Sequence, residues 1–340
     1  MNVINRLKKH ILADGFHVVA DILKSHGCWI VDVETRKEYL DCYSQFASQP
    51  IGWNHPKMVA QIPYLGHVAV NKLANSDMYS QVYADFVDDF AAITPDFKHH
   101  FFIDGGALAV ENALKAAFDW KTQIDIAIRK PLEVVHFKEA FHGRSGYTMS
   151  LTNTDPNKVR DFPKFKWPRI TNPKIHFPVD ETNMVNLEEM VNQELSILDW
   201  SCIAAIIIEP IQGEGGDNHF RKEFFEILRR YADEKNAMLI FDEVQTGVGL
   251  TGKMWAYEHF GIIPDMIAFG KKTQVCGFCS TDRIECVPHH VFKESGRINS
   301  TWGGNIVDMA RASIIFDIIK NENLVHNAMI VGNYFVKELE

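Results

Sequence analysis

Ile203-Ala204-Ala205-Ile206-Ile207-Ile208 is apolar at six successive positions and runs straight into Glu209-Pro210. A strand with one wet face alternates polar and apolar side chains; a strand without alternation is covered on both faces, as in a parallel sheet. The pattern recurs on either side. Glu133-Val-Val-His-Phe137 and Ala237-Met-Leu-Ile-Phe241 read as strands, the second ending in Asp242-Glu243. Asp265-Met-Ile-Ala-Phe269 ends in Gly270-Lys271, and the shorter run Phe101-Phe-Ile103 ends in Asp104-Gly105-Gly106. Helical patterns lie between these runs. Leu108, Val110, Ala113, Leu114, Ala117 and Phe118 fall roughly on one face, and Phe224, Leu228 and Tyr231 mark another amphipathic helix. The alternation predicts an α/β fold, a mostly parallel sheet with helices on both faces. Up to about Ala47 the pattern differs: a helix, then a hairpin with Glu34-Thr-Arg-Lys37 as its polar turn.

Composition narrows the function. The chain has 340 residues, 46% hydrophobic and 23% charged, which excludes disorder and collagen-like structure. Its net charge of −9 gives no overall field for nucleic acid or anionic lipid. No run approaches the roughly 20 apolar residues that cross a bilayer, and the segment after Lys8-Lys9 contains Asp14 and lacks the apolar core of a signal peptide. Six cysteines are too few for a secreted disulfide framework. These features together predict a cytoplasmic protein without nucleic-acid or membrane partners.

Ligands of parallel α/β sheets bind beyond the carboxyl ends of the strands, and four polar clusters sit there: Asp104-Gly105-Gly106, Glu209 onward, Asp242, and Lys271. Gly105-Gly106-Ala107 opens a helix, whose first N–H groups and positive dipole end suit a phosphate; a plain Gly-rich turn is the other reading. Asp242 directly follows a buried strand, so its carboxylate needs a cation, a protonated ring nitrogen or a helix N-terminus. A lysine at a pocket mouth, Lys271 or its neighbour Lys272, loses amine pKa on desolvation and becomes a Schiff-base nucleophile; a solvated pair is the alternative. Phosphate cradle, ring-nitrogen carboxylate and Schiff-base lysine are together the protein parts that hold pyridoxal 5′-phosphate, with Phe141 placed to stack on its ring. Glu209 reads as structural. Cys276-x-x-Cys279 with Cys286 and His289-His290 mimics a Cys₃His zinc order but lacks a second C-x-x-C, so no metal is expected. Rossmann, Walker A and serine-hydrolase motifs are absent.

The strings Gly105-Gly-Ala-Leu-Ala-Val-Glu-Asn-Ala-Leu-Lys115, Ala140-Phe-His-Gly-Arg-Ser-Gly-Tyr147, Ile208-Glu-Pro-Ile-Gln-Gly-Glu-Gly-Gly216, Phe241-Asp-Glu-Val-Gln-Thr-Gly247 and Phe269-Gly-Lys271 resemble, in order, those of the class III aminotransferases. Gly270-Lys-Lys-Thr-Gln-Val-Cys-Gly277, Asn299-Ser-Thr-Trp-Gly-Gly-Asn305 and Phe162 to Ile170 resemble the branch acting on the ε-amine of L-lysine. The resemblance implies fold type I with a partial small α+β domain, divided as an N-terminal segment (1–50), a large cofactor-binding domain (51–310) and a connecting helix (311–340). It implies that Lys271 is the Schiff-base lysine and proton shuttle, that Asp242 pairs with the ring nitrogen, and that Gln245 bonds the ring hydroxyl. Gly106 and Ala107 would hold the phosphate, Phe141 would stack on the ring, and His142 would lie beside it. Arg144 would bind a carboxylate of the oxo-acid and Glu214 would neutralise Arg144 when a diamino substrate is bound. Thr301 would reach the phosphate of a neighbouring subunit's cofactor, which implies a homodimer with shared sites. The implied reaction passes the ε-amino group of L-lysine to 2-oxoglutarate; ornithine, acetylornithine or 4-aminobutyrate as donor, or a non-catalytic cofactor-binding fragment, are the alternatives. Family members also carry a C-terminal small domain with a second arginine for the substrate α-carboxylate, which the resemblance places beyond Glu340.

Overall fold

The computed structural model describes residues 2–128 and 130–339. A hairpin of β1 (Trp29–Val31) and β2 (Glu38–Leu40) lies near the N-terminus. The remaining strands are β3 (His99–Ile103), β4 (Glu133–Phe137), β5 (Arg169–Ile170), β6 (Ile203–Ile208), β7 (Met238–Asp242), β8 (Met266–Phe269) and β9 (Cys276–Ser280). They form one seven-stranded sheet in the order β3-β9-β8-β7-β6-β4-β5. Strands β8, β7, β6, β4 and β5 are parallel neighbours, whereas β9 is antiparallel to both β8 and β3. β3 therefore points the same way as the parallel block, and the chain ends of six strands share one edge.

The absence of alternation in β6 has the expected cause. Ile206 and Ile208 face one apolar layer with Leu239, Phe241, Ile267 and Phe269. Ala205 and Ile207 face the other, with Met238, Ile240, Met266 and Ala268. The helices Gln81–Ile93, Lys222–Glu234 and Ile306–Asn321 supply Phe86, Phe90, Phe224, Leu228, Ile315 and Phe316 to the first layer. The helix Gly106–Ile124 supplies Val110, Ala113, Leu114, Ala117 and Trp120 to the second. Of the helix face read from the sequence, Leu108 is exposed and Phe118 is half-buried in an aromatic group with Tyr147 and Trp167.

Two expected boundaries run through continuous structure. The division at 310/311 cuts the helix Ile306–Asn321, whose Met309 and Ala312 both belong to the large core. Just past 50, Trp53 bonds with Gly27 in both directions, N–H to carbonyl, and ties that stretch to the N-terminal segment. Boundaries are weakly legible because a helix gives no compositional sign of the layer it will join. The reversed strand β9 is a further finding. Its core carries Gly277, and a Cβ there would lie 2.0 Å from the Phe101 carbonyl oxygen and 2.7 Å from the Phe269 ring. We expect Gly277→Ala to destabilise the protein by about 1–3 kcal/mol through overpacking, measured by denaturant unfolding.

Candidate active site

A cavity of 440 Å³ opens at the edge where the strand ends converge, lined by residues that include Gly106, Ala107, Phe141, His142, Arg144, Glu209, Asp242, Gln245, Lys271 and Cys276. β3 leads to Gly105, whose φ of +104° permits the turn into the helix beginning at Gly106. The first N–H groups of that helix have no intrahelical acceptor. A Cβ on Gly106 would come within 3.1 Å of Val244, so this wall is drawn close by the small residue. β4 leads to Phe141 and His142, β6 to Glu209, β7 to Asp242, and β8 to Lys271.

The charged groups are coupled. Asp242 is buried; its Oδ2 accepts from His142 Nδ1 at 2.8 Å and its Oδ1 from the Val244 N–H at 3.1 Å. The first bond fixes the tautomer, because a carboxylate can only accept. His142 Nε2 is buried and has no partner. Glu209, 5% exposed, accepts from the Phe141 N–H at 2.8 Å, and burial together with the charge of Asp242 pushes its carboxyl well above the usual range. The Lys271 amine donates to Gln245 Oε1 at 2.8 Å. Burial lowers its pKa, while Asp242 and Glu209 pull it back up. Lys271 also holds a φ of +36°, a conformation that costs a non-glycine residue about 1–3 kcal/mol. An amine so placed is more often neutral near pH 7 than a surface lysine, and can take up a proton.

The turn that carries the two lysines sends their amines to different places. Lys271 lines the cavity, whereas the Lys272 amine is turned beneath it, onto the carbonyls of Ala47 and Gln245. Phe141, His142, Asp242, Gln245, Gly106, Ala107 and Arg144 all line the same cavity. Glu214 and Thr301 do not. Glu214 is bonded to Lys158, so the Glu214–Arg144 pair implied by the resemblance is replaced by Glu214–Lys158 in this structure. Lys158, whose amine also lies 5.4 Å from the centre of the Phe141 ring, escaped the sequence reading because nothing in Asn157-Lys158-Val159 sets it apart. Thr301 is exposed, and its carbonyl accepts from Ser76 Oγ at 3.2 Å. Cys276 joins the cavity wall, a residue that the sequence reading places nowhere in the site. Cys276 and Cys279 are three apart on β9 and so point to opposite faces. Among the described residues no group of three or more His, Cys, Asp or Glu is arranged to hold a metal ion.

The family profile of the class-III aminotransferases matches residues 12–340. The chain is a class III aminotransferase. It is 47% identical to the L-lysine-epsilon aminotransferase of Streptomyces clavuligerus, the match spanning 100% of this chain and 77% of that protein. It is 34% identical to the 4-aminobutyrate aminotransferase of Saccharomyces cerevisiae, over 95% of this chain and 74% of the relative. The solved structure of the M. tuberculosis lysine aminotransferase in the internal aldimine form superposes with a TM-score of 0.95 at 47% identity, covering 98% of this chain and 79% of that one. The cofactor of the family is pyridoxal 5′-phosphate, and the donor set fits it: helix N-terminal N–H groups behind a glycine-narrowed wall, a buried carboxylate held by two N–H donors, an aromatic side chain, and a desolvated amine.

In the cofactor-free protein, we expect Lys271 to react with an amine-specific reagent with a midpoint below the ordinary 10.5. In Asp242→Asn the midpoint should fall further, because the Asp242 charge is what holds it up. Labelling rate against pH with peptide mapping measures both.

Proposed function

We propose that this aminotransferase passes the ε-amino group of L-lysine to 2-oxoglutarate, giving 2-aminoadipate 6-semialdehyde and L-glutamate. The observation that carries the reading is the desolvated Lys271 amine bonded to Gln245 inside a cavity whose carboxylate, Asp242, is held by His142. Lysine as donor is supported by the relatives: those named for L-lysine are 46–47% identical, while one named for 4-aminobutyrate is 34% identical.

Pyridoxal phosphate, when bound, supplies a carbonyl carbon that condenses with amines and a ring that takes up the electrons of a broken C–H bond. This chain's residues do the rest. Lys271 would hold the cofactor through its amine and, when free, would carry a proton on Nζ to and from the reacting carbon. Asp242, oriented by His142, would pair with the ring nitrogen, and Gln245 would hold the ring hydroxyl. Gly106 and Ala107 donate backbone N–H groups to the phosphate, and Phe141 covers one ring face. Arg144 binds a carboxylate of 2-oxoglutarate. Glu214, on the loop after β6, leaves Lys158 to neutralise Arg144 when the diamino acid enters.

Two copies make the working unit in this reading. Thr301 stands outside its own cavity and is free to meet the phosphate held by a second copy. A cytoplasmic site of action fits the six free cysteines. No helix of the described residues is long and apolar enough to cross a membrane.

The test is an absorbance spectrum of the cofactor-loaded protein before and after L-lysine, with borohydride trapping. We expect a visible band that L-lysine bleaches and a trapped label on Lys271. A band bleached only by ornithine or 4-aminobutyrate would move the donor to another ω-amine. No band, with cofactor added to folded protein, would overturn the assignment.

A further inference from the structure

Arg144 lines the cavity, and among the described residues its guanidinium has no hydrogen-bond or ion-pair partner. Its aim is therefore set by the main chain on either side. On one side Gly143, with a φ of +117°, lies flat against the second residue of the helix Gly106–Ile124: a Cβ on Gly143 would stand 2.5 Å from the Ala107 Cβ and 2.9 Å from Thr148 Oγ1. On the other side Ser145 Oγ donates to Glu111 Oε1 at 3.2 Å, and the same oxygen accepts from the Thr148 N–H at 3.1 Å. Thr148 Oγ1 in turn accepts from the Ser145 N–H at 3.1 Å. Ala107 and Glu111 are four residues apart on one helix and so share a face.

Glu111 is 8% exposed. Its carboxylate caps the helix Gly146–Leu151, whose first N–H groups have no acceptor within the helix and whose positive end favours an anion. Gly146 makes room for it, since a Cβ there would lie 3.0 Å from Glu111 Oε1. The helix that carries Glu111 begins with Gly106 and Ala107, whose N–H groups are those assigned above to the cofactor phosphate. At 1.5 Å per residue, the phosphate anchor at Ala107 and the anchor of the Arg144 turn at Glu111 lie about 6 Å apart along one axis.

We propose that Glu111 is a positioning residue for the acceptor half of the reaction: from the helix that holds the cofactor phosphate, its carboxylate fixes the turn 143–148 and so aims Arg144 at the carboxylate of the oxo-acid. A buried carboxylate with two donors is a stiff tie, because its loss leaves the Thr148 N–H buried without a partner. One rigid helix then sets both the place of the cofactor and the place of the acceptor, and the spacing between them cannot drift. The inference rests on the reading of Arg144 as the oxo-acid's partner; the cap itself does not.

The experiment follows two steps by the visible band of the cofactor-loaded protein: its loss on adding L-lysine, and its return when 2-oxoglutarate is added to the bleached protein. The variants are Glu111→Ala, Glu111→Gln, Arg144→Gln and the Glu111→Ala/Arg144→Gln double variant. In Glu111→Ala the 2-oxoglutarate concentration for half-maximal return should rise about 10-fold, the scale of a displaced carboxylate clamp, while the L-lysine step changes by less than about twofold. Glu111→Gln, whose carboxamide oxygen can still accept from Thr148 and Ser145, should recover most of the loss. The double variant should need no more 2-oxoglutarate than Arg144→Gln alone, because Glu111 acts through Arg144. Hydrogen exchange gives a readout independent of turnover: amides of residues 145–152 should exchange at least about tenfold faster in Glu111→Ala, with β6 and β7 unchanged. An unchanged 2-oxoglutarate requirement in Glu111→Ala, equal losses in the two steps, or additive losses in the double variant would overturn the positioning role. Unchanged exchange over 145–152 would overturn the cap. If Glu111→Ala does not fold, Ser145→Ala, which removes one of the two bonds, takes its place with an expected rise of about threefold. If Arg144→Gln leaves the requirement unchanged, the proposed function loses Arg144 as the oxo-acid's partner, while the exchange measurement still decides whether Glu111 holds the turn.

Discussion

Two-sided burial of the central sheet is the constraint from which the rest of this structure follows. β6 has no polar side chain and β7 has only Asp242, at its last position, so both strands need an apolar layer above and below. Main-chain hydrogen bonding is satisfied within the sheet, and the helices on either face seal it. Polar chemistry is thereby pushed to the ends of the strands. Because β3, β4, β6, β7 and β8 all run the same way, the residues that follow them meet at one edge. The convergence of Gly106, His142, Glu209, Asp242 and Lys271 on one cavity is a geometric result of that direction.

Burial then tunes the groups it gathers. Three ionisable side chains, Glu209, Asp242 and Lys271, share a small volume with little water. Two carboxylates cannot both be charged there without cost, and Glu209 is the one pushed toward its neutral form. Asp242 keeps two N–H donors, from His142 and Val244. The amine of Lys271 feels the opposite pressures of desolvation and of those carboxylates, and the former is the larger. A carboxyl pushed up and an amine pulled down, side by side in one cavity, are the kind of perturbed pair that gathers at functional sites.

The unused lysine of the pair illustrates how the same physics serves structure. Burial and the charge of Lys271 bring the Lys272 pKa down to about 7, with Glu243 opposing, and its amine is spent on carbonyls rather than on chemistry. Similarly, Lys121 is buried and gives its amine to the carbonyls of Trp200, Lys235 and Asn236, joining the end of one helix to two loops. Burial of a lysine thus serves structure at two places in this protein, and Lys271 differs from both in lining the cavity.

Local information in the chain determined the strands, the layer of helices and the polar edge, because a run such as Ile203–Ile208 leaves no other way to hide its side chains. Motif strings likewise carried most of the cavity lining, since each lies within a few residues of a strand end. What the tertiary structure alone decided involves residues far apart in sequence. The reversal of β9 places Cys276 in the cavity and Cys279 in the core, so a spacing that reads as metal ligands becomes two unrelated cysteines. Glu214 is held by Lys158, 56 positions away, and the left-handed turn at 44–47 by Lys272, 225 positions away from Ala47. Neither tie leaves a periodicity or a composition bias, because a single long-range hydrogen bond asks nothing of the neighbouring residues in the sequence. The helix Ile306–Asn321 likewise joins the large core through side chains whose partners lie more than 200 positions earlier, on the helix Gln81–Ile93.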